Sequence, residues 1–230
     1  MRDFRFLFAC FIAFTIPISA EPTTPEGIAV EILAPLLDPV KVATLKGDRP
    51  ANARLYKVLY WLETARKAGG DVGTVIDTAQ KVAGYGGSIG AKADKQAILW
   101  SRKNLEKWGC FTPEGNEKLR NGGSPIITKG ENAGDSIALD HVLPRSLVPE
   151  LAARFYNLEA IPAKDNLRKS SKITAREVAL ARRWHRDGLL SAEGLRAIEN
   201  ALITPQSMFY LVPELFPQKE HNILLVCSFC

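Results

Sequence analysis

Between Ala51 and Gly109 the chain carries three amphipathic stretches, each closed by glycine. Leu55, Val58, Leu59, Trp61 and Leu62 recur at helical spacing in the run Ala51 to Lys67, and Gly69-Gly70 stops it. Val72 to Ala83 forms a second run, closed by Gly84-Tyr85-Gly86-Gly87. Ala91 to Trp108 forms a third, with Ile98, Leu99, Leu105 and Trp108 available for burial and Gly109 as its stop. Apolar residues three and four apart make a stripe that a helix can bury on one side. Glycine directly after such a stripe supplies the left-handed residue on which helices end. The aromatic and aliphatic stripes read as core packing. A shorter helix is expected around Ile28 to Leu37, in a segment punctuated by Pro22, Pro25, Pro35 and Pro39.

The pattern changes after residue 110. Gly122-Gly123-Ser124-Pro125 reads as a turn, Ile126 to Thr128 as a short strand, and Gly130 to Gly134 as a polar loop. Ser136 to Leu143 and Asn157 to Ile161 have strand character, and Ala163 to Ser171 reads as a helix. Thr174-Ala175-Arg176-Glu177 is a capping box opening a helix that runs to about Arg186, with Gly188 as its stop. Ser191 caps a last helix reaching about Leu202. The expected fold class is therefore α+β and mainly helical, with a small strand–strand–helix unit embedded among helices. The expected divisions are a leader over 1–20, a helical region over 21–120, the strand-bearing core with its following helices over 121–203, and a tail over 204–230.

The leader expectation rests on Arg2 and Arg5, the apolar run Phe6 to Ile16, Pro17, and the small residues before Glu21. That run is shorter than the ~20 residues a spanning helix needs. A secretory signal peptide implies an exported protein, periplasmic or extracellular, whose mature chain no longer associates with the membrane. Composition fits a globular chain: 46% hydrophobic and 24% charged over 230 residues, with a net charge of +5. A basic balance suits a polyanionic partner. After leader removal the cysteines are Cys110, Cys227 and Cys230. Cys227 and Cys230 read as a structural disulfide or an incidental pair, and the partner of Cys110 is left open.

Chemistry concentrates in residues 136–172, SIALDHVLPRSLVPELAARFYNLEAIPAKDNLRKSSK. Asp140-His141 ends an apolar strand, Asn157 follows sixteen residues later, and Asn166 and Lys169 lie on the next helix. Hydrolysis of a phosphodiester by water needs a base that works near neutral pH, for which histidine is suited. Charge growing on the phosphoryl and leaving oxygens calls for a divalent cation. Neighbours on a regular strand face opposite sides, so Asp140 and His141 can serve one site only where the strand bends. Asn166, on a helix packed against both strands, can offer a second hard oxygen.

This segment resembles the HNH endonucleases, whose ββα-metal finger carries an Asp-His or related pair, a central Asn and a final His or Asn. The resemblance covers Ser136 to Lys172, includes the run His-Val-Leu-Pro-Arg-Ser at 141–146, and is similar in layout to the HNH domain of RNA-guided CRISPR effectors. It implies that His141 is the general base and that Asp140 and Asn166 are metal ligands. It implies that Asn157 ties the long loop and orients His141, and that Lys169 contacts a phosphate or braces the helix. The paired CxxC zinc knuckles of many relatives are missing here, so the surrounding helices must support the finger. With Asn in the final place the ligands are oxygens, which favours one Mg²⁺ or Mn²⁺ over zinc. The implied substrate is DNA, with RNA as a second candidate, cut with little sequence preference; a protecting inhibitor protein is left open.

Lys164, Arg168 and Lys172 recur four apart and are expected on one helical face, where with Arg145 and Lys169 they can grip phosphates without reading bases. His185 is expected to be a surface helix residue and His221 a tail residue. Two other readings stand beside the nuclease. One is a nucleic-acid-binding module without catalysis. The other is an exported helical protein that binds a partner.

Overall fold

A computed structural model describes residues 24–45 and 48–202. The leader, the 204–230 tail, His221, Cys227 and Cys230 lie outside the described residues. The architecture is mainly helical, with one two-stranded antiparallel sheet among the described residues. In chain order the helices are α1 (Pro25–Leu37), α2 (Pro39–Ala43), α3 (Asp48–Lys67), α4 (Val72–Val82), α5 (Ile89–Lys107), α6 (Pro113–Arg120), α7 (Ala163–Lys169), α8 (Ala175–Arg186) and α9 (Ala192–Leu202), and the strands are β1 (Ile137–His141) and β2 (Leu158–Pro162). No described helix is long and apolar enough to cross a membrane.

The chain divides into two compact units. The first holds described residues up to Val142 together with Leu151–Ser170. Its helices begin where side chains can satisfy orphan amides: Thr24 accepts from Gly27 N, Asp71 from Thr74 N, Ser88 from Ala91 N and Thr112 from Gly115 N. Proline follows Thr24 and Thr112 at the first helical position, where its missing N–H costs nothing. Leu33 and Leu37 of α1, Leu55, Leu59 and Leu62 of α3, Ile76 of α4 and Ile98 and Leu105 of α5 are fully buried together with Ile137 and Leu158 of the strands. One apolar core therefore carries both the helices and the inner face of the hairpin.

The hairpin is held by the helices at several points. β1 and β2 pair in the register Ile137↔Pro162 through His141↔Leu158. Ile137, Leu139, Leu158, Ala160 and Pro162 alternate inward, as a half-buried sheet requires. Along the open edge of β2, α5 supplies what a third strand would: Ser101 Oγ accepts from Ala160 N and Asn104 Nδ2 donates to Ala160 O. Tyr56 of α3 donates to Ile137 O at 3.0 Å, and burial pushes its hydroxyl up to about 12. α7 packs on both strands.

The expected strand over Ile126 to Thr128 is not formed; a single bridge, Ile126↔Ser136, remains. Pro125 has no amide to donate, and the amides of Thr128 and Lys129 both turn to Trp108 O, so no longer ladder can form. That turn depends on Gly109, whose φ of +64° ends α5 in the left-handed region. The helix expected to Ser171 ends earlier, at Lys169. Ser170 stands at φ +51°, the one positive-φ residue other than glycine among the described residues.

The second unit holds Leu143–Glu150 and residues from Ser171 onward. α8 and α9 pack on each other. The Thr174–Glu177 capping box is formed, with Thr174 N donating to Glu177 Oε2 at 3.0 Å. Ser191 Oγ accepts from Gly194 N and donates to Glu150 Oε1 at 2.6 Å. His185 corrects its expectation: it is half-buried, and its Nδ1 lies 3.0 Å from Leu190 O, tying the end of α8 to the turn that follows.

Candidate active site

His141 is the last residue of β1, where strict alternation would bury it beside Ile137 and Leu139; it is only half-buried. Its Nε2 lies 2.9 Å from the Ala152 carbonyl. A carbonyl oxygen can only accept, so Nε2 carries a proton, and in the neutral ring the lone pair falls on Nδ1. Imidazole held this way by a main-chain oxygen is oriented and has a fixed tautomer, the arrangement a general base needs.

Asn157 builds the carbonyl side of that contact. It is fully buried in the 3₁₀ turn Phe155–Asn157. Its Nδ2 donates to Leu151 O at 3.3 Å, one peptide before the carbonyl that holds His141. Its own carbonyl accepts from Val142 N at 2.9 Å, one residue after His141. Asn157 thus ties the returning loop to the end of β1 on both sides of the histidine.

Sequence reasoning missed the support below this turn. Asp94 of α5 is buried and accepts from Tyr156 N at 2.9 Å. Burial pushes its carboxyl up to about 7, against the pull of the Tyr156 amide and Arg154. An unfolded aspartate releases its proton near 3.8. Between these values the folded chain binds more protons than the unfolded one, so stability from this group is complete below about pH 4 and is lost as pH rises through about 7. We expect the unfolding free energy from urea titrations of the native chain to fall from pH 5 to pH 8, by on the order of 2–4 kcal/mol from this group. In Asp94→Asn, which keeps an oxygen for Tyr156 N, that part of the slope should vanish.

Asp140 lies directly opposite Glu159 in the register, on the outer face of the hairpin. Both side chains are 13% exposed. Lys169, in the last turn of α7, reaches Asp140 Oδ2 at 2.5 Å, Glu159 Oε1 at 3.2 Å and the His141 carbonyl at 3.1 Å. Glu159 was not singled out from the sequence, although its place two residues after Asn157 puts it across from Asp140 once the register is known. Asn166 is half-buried one turn before Lys169, on the same side of α7. The groups that converge beside Asp140 are oxygens, the ligand type that hard divalent ions take. No group of three or more His, Cys, Asp or Glu that could hold a metal is found among the described residues. Asp140 and Asn166 would hold such an ion, with Glu159 beside them and waters or substrate oxygens completing its shell.

The basic residues divide. Lys164 and Arg168 lie on the exposed side of α7 with Leu167, and Glu131 and Asn132 share the shallow concavity they line. Arg168 forms an ion pair with Asp165 on its own helix. Lys169 points the other way, into the hairpin. Lys172 does not continue the face: α7 stops at Lys169, the left-handed Ser170 redirects the chain, and Lys172 belongs to the second compact unit. Arg145 is exposed and belongs to that unit as well. Cys110 is buried in the core and pairs with no cysteine among the described residues; burial raises its thiol to about 12.

The chain matches no protein-family model, no curated protein and no solved structure.

Proposed function

We propose that the protein is a metal-dependent endonuclease of the HNH type, hydrolysing phosphodiester bonds of DNA or RNA after export. The observation that carries this reading is His141, held through Nε2 by the Ala152 carbonyl at 2.9 Å, in sequence with Asp140 on a hairpin crossed by the helix of Asn166.

In this reading water is positioned against Nδ1 of His141, which takes its proton. The resulting imidazolium strengthens the Nε2–H bond to Ala152 O, because the donor is now charged. The hydroxide oxygen forms a bond to phosphorus as the bond to the 3′ oxygen breaks, and the 3′ oxygen takes a proton from a solvent water, which leaves 5′-phosphate and 3′-hydroxyl ends. Asp140 and Asn166 would hold a divalent ion, which would neutralise charge on the phosphoryl and leaving oxygens. Asn157 keeps the histidine in place, and Lys164 and Arg168 meet backbone phosphates through charge without reading bases.

The test is cleavage of supercoiled plasmid and of a structured RNA by residues 21–230 with Mg²⁺, Mn²⁺ or EDTA, beside Asp140→Asn. Cleavage should require the metal, and Asp140→Asn should lower it by about 100-fold or more at fixed metal. Metal-independent cleavage, or full activity in Asp140→Asn, would overturn the reading. DNA affinity without any cleavage would favour the binding-module reading instead.

A further inference from the structure

Three oxygens converge on one lysine nitrogen in the outer face of the hairpin. Lys169 Nζ binds Asp140 Oδ2, Glu159 Oε1 and the main-chain oxygen of His141. The register sets the two carboxylates directly opposite each other, a place where like charges repel. Both are largely buried, so water does little to screen them. The Lys169 ammonium, in contact with both, offsets part of that repulsion. That cation is a compact ammonium on a flexible four-carbon stem. It springs from the last turn of α7, immediately before the helix stops at Ser170. The head group can therefore withdraw by side-chain rotation alone, leaving the strands and α7 in place.

We propose that Lys169 is a resident stand-in for the metal: it holds Asp140 and Glu159 assembled in the metal-free protein and yields its place to the incoming divalent ion, for which Glu159 is a further oxygen ligand. This rests on the metal-dependent reading above and adds to it a residue and a sequence of events. Charge favours the exchange. A divalent ion brings twice the positive charge of the ammonium it displaces to the same two carboxylates. Holding the ion and the ammonium together would leave an excess positive charge in a half-buried site. The exchange also sets the affinity, because metal binds only the fraction of molecules in which the lysine has left. The released ammonium is then free beside the site to meet a substrate phosphate, so that metal loading and phosphate binding are coupled through one side chain.

The experiment is calorimetric titration of Mn²⁺ into metal-stripped residues 21–230, comparing the native chain with Lys169→Met, Glu159→Gln and Asp140→Asn. Removing the competitor should tighten Mn²⁺ binding by about tenfold, and Glu159→Gln should weaken it by about tenfold. Asp140→Asn should lose binding. In the native chain, diamagnetic Mg²⁺ should shift the Lys169 side-chain NMR resonance as the ammonium leaves its carboxylates. Lys169→Gln carries the same comparison if the methionine variant folds poorly. Its melting temperature should fall in EDTA and recover with Mn²⁺ more than the native chain's does. Weaker or unchanged Mn²⁺ binding in the Lys169 variants, or unchanged binding in Glu159→Gln, overturns the proposal while loss of binding in Asp140→Asn leaves the metal reading standing. No Mn²⁺ binding by the native chain would overturn both.

Discussion

Alanine at position 141 should lower phosphodiester hydrolysis by about 10²- to 10⁴-fold, the range that a positioned general base supplies, and leave Mn²⁺ affinity close to native. The two readouts separate because His141 offers the cation site its main-chain oxygen, which alanine keeps, while Asp140 offers its side chain. The folding cost should be small. His141 is half-buried and its imidazole makes one hydrogen bond to a main-chain carbonyl, worth about 1 kcal/mol net. A loss of activity accompanied by unfolding, seen in near-ultraviolet circular dichroism, would point to a structural histidine instead.

The second large effect lies away from the hairpin. Glu63→Ala should destabilise the protein by about 3–5 kcal/mol in urea unfolding, the cost of leaving a buried charge without its partner. Glu63 of α3 and Arg102 of α5 are both almost fully buried and pair at 2.8 Å. Arg66 grips the same carboxylate through Nε at 2.8 Å and Nη2 at 2.7 Å. Burial pushes the Glu63 carboxyl up, but the guanidiniums of Arg66 and Arg102 outweigh it and hold it below the usual carboxylate range. Without Glu63, Arg102 keeps, among the described residues, Glu106, which is half in solvent, and the face of Phe111 at 5.7 Å. Its Nε already lacks a hydrogen-bond partner among the described residues. Replacing both Glu63 and Arg102 by leucine should recover most of the loss, since a buried pair exchanged for packed apolar groups is close to neutral. The clamp matters to the site because α5 also carries Asp94, Ser101 and Asn104, which hold the 155–157 turn and the edge of β2.

What could be read from the sequence follows from how local each signal is. The long helices were legible because stripe and stop are both written in neighbouring residues: Gly69, Gly84 and Gly109 each end a run at positive φ. The Thr174 capping box and the Ser191 cap were legible for the same reason. Two short helices were overlooked although their caps were present, Asp38-Pro39 for α2 and Thr112-Pro113-Glu114 for α6. Each is too short to show a stripe. The hairpin and its following helix were legible from apolar alternation around Asp140-His141, but partners across strands were not. Glu159 opposite Asp140, and Ala152 O against His141, depend on register and on the return of a loop. Asp94 under Tyr156 joins residues far apart in the chain. Lys172 was placed on a helical face by spacing alone; nothing in Lys169-Ser170-Ser171-Lys172 announces that Ser170 will adopt φ +51° and end the helix.

Digestion of supercoiled plasmid by residues 21–230, native beside His141→Ala and each with Mg²⁺ or EDTA, tests the central claim most directly. Nicked and shortened DNA with 5′-phosphate ends, formed only by the native chain and only with the metal, is the predicted result. Cleavage of equal extent by His141→Ala, or none by a folded native chain with either Mg²⁺ or Mn²⁺, would contradict it.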